Sequence, residues 1–234
     1  MDDIPGWTEE AGRQLLDMPE WIRRITERVD QFTMTGNVRV AALCQAVEYI
    51  VKGGLPGSIV ECGVWQGGSM MAVAYSLLHC QAFRDLCLFD TFTGIPPAGQ
   101  YDHSIFTGTC GHDIPKDDLF WTRASVSQVS ANLRLTGYPI HNIHLVPGLV
   151  EDTIPAQAPD QIALLRLDTD WYESTKHEME HLYPRLVPGG VLILNDYGFW
   201  AGANKAVDEH MTGKPPILLH RLDNMGGRIG VKMI

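Results

Sequence analysis

The sequence predicts an α/β fold: a mostly parallel sheet covered by helices, preceded by a helical segment and closed by an antiparallel hairpin near the C-terminus. Short runs rich in Val, Ile and Leu alternate with stretches of helical periodicity, which is the pattern of βαβ units. Those runs are apolar throughout, as strands buried on both faces are. The last two extended runs are joined only by a turn, so they pair antiparallel.

The helices come first. Glu20–Val29 and Val38–Val51 carry apolar residues at helical spacing, with Pro19 ahead of the first and Gly53-Gly54 closing the second. With the residues before them they make a helical arm over 1–54, whose apolar face suits a partner subunit, as in a homo-oligomer. Five strands follow, at Ser58–Cys62, Leu86–Asp90, Asn142–Val146, Gln161–Asp168 and Gly190–Asn195. A helix is expected over Trp171–Leu182. Pro216–Leu222 and Arg228–Met233 flank the turn Asp223-Asn224-Met225-Gly226-Gly227 and complete a sheet of seven strands. Residues 93–122 are rich in Gly, Pro, aromatics and His, show no period, and are too long for a plain connector; they read as a lid. No repeat or linker divides the chain, so 1–234 is expected to be one domain.

Composition narrows the function. The hydrophobic fraction is 45% and the charged fraction 20%, as in folded soluble domains. A net charge of −10 argues against nucleic acid, whose affinity comes from Lys and Arg on phosphates. No apolar stretch approaches the ~20 residues that span a bilayer, and Met1–Gly6 carries two acids rather than a basic n-region, so no membrane partner and a cytoplasmic location are expected. Cys44, Cys62, Cys80, Cys87 and Cys110 form no C-x-x-C pair and suit reduced core thiols better than disulfides or zinc. His79, His141, His144, His177, His181, His210 and His220 read as surface or core residues. His103 and His112 fall in the lid with Phe106 and Trp121, where they are placed to touch an acceptor.

The turn after the first strand, Glu61-Cys62-Gly63-Val64-Trp65-Gln66-Gly67-Gly68-Ser69, opens a helix, and its glycines let a ligand approach the backbone. In open α/β sheets ligands bind at that edge. The spacing G-x-x-x-G-G is neither the dinucleotide fingerprint nor a P-loop, so an NAD-dependent oxidoreductase is disfavoured. Glu61 suits a cationic group such as the amine of a methionine moiety. Asp90, ending the second strand, is placed to accept the hydroxyls of an adenosine ribose, and Phe92 to flank the adenine; the alternative is a plain strand-ending turn.

A second constellation lies at the ends of two later strands. Asp168 and Asp170 follow one apolar strand, and Asn195 and Asp196 end the next; adjacent strands lie ~4.8 Å apart, so the four side chains converge. Three acids there repel unless a cation neutralises them, and oxygen ligands without Cys or His select Mg²⁺, with Mn²⁺ as a substitute. Metal coordination lowers the pKa of a bound hydroxyl. With Asp168, Asn195 and Asp196 assigned to the metal, Asp170 is the spare carboxylate and candidate general base; the bland alternative makes it the N-cap of the following helix.

With Thr33-Met34-Thr35, Val60–Ser69, Gly148–Pro155, Arg166–Thr175, Leu182–Gly190 and Asp196-Tyr197-Gly198, the chain resembles the TylF/MycF family of macrocin O-methyltransferases from about Phe32 onward. The resemblance implies a Rossmann-like class I methyltransferase fold, S-adenosylmethionine as methyl donor, Mg²⁺, and a sugar hydroxyl of a natural product as acceptor. It further implies that Thr35, Gly36, Glu61, Gly63, Ser69, Asp90, Phe92 and Ser127 line the donor pocket, with Gly148 and Leu149 near the adenine. Asp168, Asn195 and Asp196 become metal ligands and Asp170 the base. Members of the family carry two consecutive Asp where this chain has Asn195-Asp196, one negative charge fewer. Two other readings remain: a catalytically silent S-adenosylmethionine-binding scaffold, and a methyltransferase for phenolic or catechol-like hydroxyls.

Overall fold

A strand that is apolar on both faces is stable only inside a sheet covered on both sides, and four of the seven strands, the central ones, meet that condition. The computed structural model describes residues 15, 17–115, 118 and 121–233; Met1–Gly6 and four positions of the expected lid, 116, 117, 119 and 120, lie outside them. The strands are β1 (Ser58–Cys62), β2 (Leu86–Asp90), β3 (Ile143–Pro147), β4 (Ile162–Leu167), β5 (Leu186–Leu194), β6 (His220–Arg221) and β7 (Arg228–Val231). The main helices are α1 (Glu20–Val29), α2 (Asn37–Lys52), α3 (Gly68–His79), α4 (Val126–Arg134), α5 (Val150–Thr153), α6 (Tyr172–His181) and α7 (Ala201–Met211).

The sheet order is β3-β2-β1-β4-β5-β7-β6. β1 to β5 run parallel, and β7 pairs antiparallel with both β5 and β6. Successive strand residues face opposite layers: Ile59, Leu86, Leu88, Leu164 and Ile193 pack against the layer holding α1 to α4. Val60, Phe89, Leu165, Leu192 and Leu194 pack on the other side, with Met179 of α6 and Val207 of α7. A third cluster, Trp171, Trp200 and Ala203 with Ile95, Ala98 and Phe199, lies at the carboxyl edge of the sheet. Among the described residues no helix is long and apolar enough to cross a membrane.

Several boundaries differ from the sequence reading, most by one or two residues, and three of the differences have a visible cause. β5 begins at Leu186, before the Pro188-Gly189-Gly190 run that reads as a turn, because Gly189 N–H donates to Lys232 O and Lys232 N–H to Gly190 O, continuing the ladder through a register shift. β6 shrinks to two residues; Pro215 and Pro216 supply no N–H for pairing. The N-cap of α6 is Trp171, not Asp170, and no side chain of its own caps it. Instead Oδ1 of buried Asp102, seventy residues earlier, accepts the Tyr172 N–H at 2.8 Å. Cys44, Cys62 and Cys87 are core thiols as expected, whereas Cys80 and Cys110 are half-exposed; all five are free.

The hairpin docks on the sheet edge through two glycines. Gly198 N–H donates to Gly226 O at 3.0 Å, and a Cβ on Gly198 would sit 2.5 Å from the Gly226 Cα. Gly198→Ala should therefore destabilise the protein by roughly 1–3 kcal/mol, the usual cost of overpacking. Urea denaturation reads this directly; an unchanged midpoint would show that the two chains separate freely.

Candidate functional site

β1 leads to β2 on one side while its other neighbour is β4, so a crevice opens beyond their carboxyl ends. A cavity of about 510 Å³ occupies it. Gly63 turns the chain out of β1 at φ +82, and it has no room for a side chain: a Cβ would lie 2.0 Å from the Asp168 carbonyl oxygen. Asp168 N–H in turn donates to Cys62 O at 2.9 Å, so the β1 and β4 exits are tied together. Asp90 braces the same loop. Its Oδ2 accepts the Val64 and Trp65 N–H groups at 2.6 and 3.1 Å, and its Oδ1 accepts Phe92 N–H at 2.7 Å.

Arg166 forms the floor. Its side chain is 2% exposed and stands opposite Glu61 in the β1–β4 register. Nη1 donates to Glu61 Oε1 and Asp168 Oδ2, both at 2.7 Å, and Nη2 donates to Thr35 Oγ1 at 2.9 Å and Asn195 Oδ1 at 3.3 Å. Burial pushes the Glu61 carboxyl up to about 8, with Arg166 opposing. Arg39 closes the far side: it donates to the Asn195 backbone and side-chain oxygens at 2.9 and 2.8 Å and grips Asp223 with Nε and Nη2.

The remaining acids face one another. Asp196 Oδ2 accepts the Asp170 N–H at 3.2 Å, and its Oδ1 accepts the Asn195 Nδ2 donor at 3.3 Å. Asp170 sits at φ +66, a backbone conformation Asp tolerates better than most residues, and its Oδ1 accepts the Trp200 indole N–H at 2.8 Å. Burial, then the charges of Asp196 and Asp168, push the Asp170 carboxyl well above its ordinary range; the Trp200 bond opposes them. Burial and Asp168 push Asp196 up to about 7. Oxygen donors that resist ionising together are the chemistry a hard dication fits, since it stabilises their charged forms. By donor chemistry Asp168, Asn195 and Asp196 suit Mg²⁺, but Asp168 Oδ2 and Asn195 Oδ1 already accept from guanidinium groups, and Asp168, Asp170 and Asp196 do not place three carboxylate oxygens within 4.8 Å of one another, so a bound ion would have to draw them in.

The profile of the family described as Macrocin-O-methyltransferase (TylF) matches residues 24–226. The chain belongs to this family. A similar curated protein is the 8-demethyl-8-(2,3-dimethoxy-alpha-L-rhamnosyl)-tetracenomycin-C 4'-O-methyltransferase of Streptomyces olivaceus, 34% identical over 70% of this chain and 62% of the relative. The aligned stretch thus spans under two thirds of that relative's length. Demethyldecarbamoylnovobiocin O-methyltransferase of Streptomyces niveus is 32% identical over 76% of this chain and 67% of its own. Among solved structures, the O-methyltransferase NovP superposes with a TM-score of 0.75 at 30% identity, covering 87% of this chain and 83% of that one.

In this TylF-family chain the cavity wall includes Thr35, Gly36, Gly63, Ser69, Asp90, Gly148, Leu149, Asp168, Asp170, Asn195 and Asp196, as the sequence reading expected of a single site. Three expected donor residues stand elsewhere. Glu61 is 1% exposed and not part of the cavity wall; its Oε1 pairs with Arg166, while its buried Oε2 has no hydrogen-bond partner among the described residues. Phe92 is 7% exposed and belongs to the core cluster instead of the cavity wall. Ser127 lies on the exposed start of α4, with its hydroxyl against Ser125. The lid histidines, His103 and His112, are exposed and outside the cavity wall. Arg166, Arg39 and Asp223 were not foreseen as site residues. A charged residue inside the apolar run Leu164-Leu165-Arg166-Leu167 signals a buried partner; nothing local links Arg39 to Asp223.

Arg166→Met should cost about 3–5 kcal/mol, because it leaves Glu61 buried without its cation. Adding Glu61→Leu should restore part of that loss. Denaturation midpoints of the single and double variants test this, and a double variant weaker than Arg166→Met alone would contradict the pairing.

Proposed function

We propose that the protein transfers a methyl group from S-adenosylmethionine to a hydroxyl of a small molecule, a sugar hydroxyl on a glycosylated natural product, with Mg²⁺ bound beside it. The observation that carries this reading is the meeting, in one cavity, of the β1 glycine turn with the carboxylates of β4 and β5. Family membership supports it, as does a relative whose name places the methyl on a rhamnosyl-bearing tetracenomycin.

Gly63 and Ser69 admit the donor's methionine portion, with Thr35 and Gly36 beside it. Asp90, at the end of β2, takes the ribose, and Gly148 with Leu149 forms the adenine edge. Asp168, Asn195 and Asp196 would hold the dication. When bound, Mg²⁺ supplies Lewis acidity that eases loss of the acceptor's proton, and the sulfonium supplies the methyl group. Asp170 receives that proton as the acceptor oxygen forms its bond to the methyl carbon and the carbon–sulfur bond breaks. The Trp200 indole fixes the Asp170 carboxylate in place, and the crowded acids keep its proton affinity high. Ile95, Pro96 and Trp200 form apolar wall on the acceptor side, and the described residues around Gly94–Pro96 cover it from the expected lid.

A second reading is a silent donor-binding subunit. It is favoured by Asn195, whose Oδ1 already accepts from both Arg39 and Arg166. Calorimetric titration with Mg²⁺ separates the two: saturable binding at or below about 1 mM supports the enzyme, and its absence supports the scaffold.

Asp170→Asn should lower turnover by at least about 100-fold, the contribution of a general base, while S-adenosylhomocysteine still raises the melting temperature. Turnover within a few-fold of the parent would remove Asp170 from the mechanism. Asp168→Ala should abolish both activity and its stimulation by Mg²⁺; a variant that Mg²⁺ still activates would exclude Asp168 as a ligand.

A further inference from the structure

A second group of ligating side chains lies on the 93–122 segment, outside the cavity wall. A Cys110 sulfur, a His112 ring nitrogen and an Asp113 carboxylate oxygen lie within 4.8 Å of one another. All three belong to one tight turn: Gly111–Asp113 is a single 3-10 turn, and Cys110 is its N-cap. His112 Nε2 stands 3.3 Å from Asp113 Oδ1, and both side chains are more than half exposed, so neither is held by packing.

The backbone under the group is fixed. Gly111 N–H donates to Asp102 O and Ser104 N–H to Thr109 O, each at 2.8 Å. Gly111 lies on the Trp171 ring so closely that a Cβ would come within 2.6 Å of it. His103 pairs directly across from Cys110 in an antiparallel bridge. Residues opposed in such a pair project to the same face with Cβ atoms roughly 5 Å apart, so the His103 imidazole is available on the same side.

We propose that Cys110, His112 and Asp113 form a site for a thiophilic transition-metal dication, Zn²⁺, with His103 or a water as the fourth ligand. The donor set is one sulfur, one or two imidazole nitrogens and one carboxylate oxygen, which is zinc chemistry and unlike the all-oxygen set of the cavity. Zinc bonds of about 2.0–2.3 Å in a tetrahedron put ligand atoms roughly 3.3–3.8 Å apart. The three atoms therefore close in by an ångström or so, through rotamers of exposed side chains. Binding replaces the Cys110 thiol proton, which leaves to solvent. The closed site staples the turn over Trp171, whose indole N–H holds Pro96 O at 2.8 Å on the cavity wall.

The test titrates the full chain, held reduced and in excess Mg²⁺, with Co²⁺ as the spectroscopic stand-in for Zn²⁺. One equivalent should give a sulfur-to-cobalt charge-transfer band, and Zn²⁺ should then bleach it. Cys110→Ser should abolish the band, His112→Ala should weaken Co²⁺ affinity at least about tenfold, and Asp168→Ala should leave both unchanged. His112 is exposed, so its variant reports on ligation and not on folding. The proposal is overturned if the parent shows no band, if Cys110→Ser keeps it, if His112→Ala binds as the parent does, or if the band depends on Asp168.

Discussion

A guanidinium leaves water only when anions and other acceptors replace its hydration, and Arg166 makes that demand at the centre of the sheet. Its fork reaches Glu61 on β1, Asp168 beyond β4, Thr35 ahead of α2 and Asn195 beyond β5. Those four positions belong to separate parts of the chain, and each is set by the same planar group. The positive charge also limits the mutual repulsion of the acids that line the cavity. Without it, Glu61 and Asp168 would be left without their cation partner at the neighbouring exits of β1 and β4.

Elsewhere the same economy recurs with carboxylates as acceptors. Asp90 collects three backbone N–H groups and so shapes the β1 turn and the β2 exit together. Asp102 accepts from Gly99 and from Tyr172, fastening the segment over the cavity to the first turn of α6. Each of these acids satisfies donors at places where regular structure ends, which is where orphan N–H groups collect.

Much of this was legible in the chain itself. β1 and β2 fall where apolar runs bounded by turn residues put them, and α1 matches its periodic stretch residue for residue. That Asp168, Asp170, Asn195 and Asp196 line one cavity follows from strand order and spacing. What stayed hidden depends on distance in sequence. The α6 cap comes from Asp102, the Arg39 clamp ends on Asp223, and Glu61 turns to Arg166 rather than to the cavity. Periodicity sees none of these, because each is chosen by tertiary contact. The sequence reading starts β5 only at Gly190; pairing of Leu186 with Ile162 and of Gly189 and Gly190 with Lys232 carries it four residues further back.

The Arg39–Asp223 clamp joins the first long helix to the last hairpin across most of the chain, and the Gly198–Gly226 contact ties that hairpin to the segment after β5. Contacts of such separation form late, after loop closure has been met by the core. On the ribosome, the acid cluster therefore lacks its outer wall until the final strands have emerged. A nascent chain holding β1 to β5 has its sheet, but it lacks the Asp223 side of the pocket until the β6–β7 hairpin has been made.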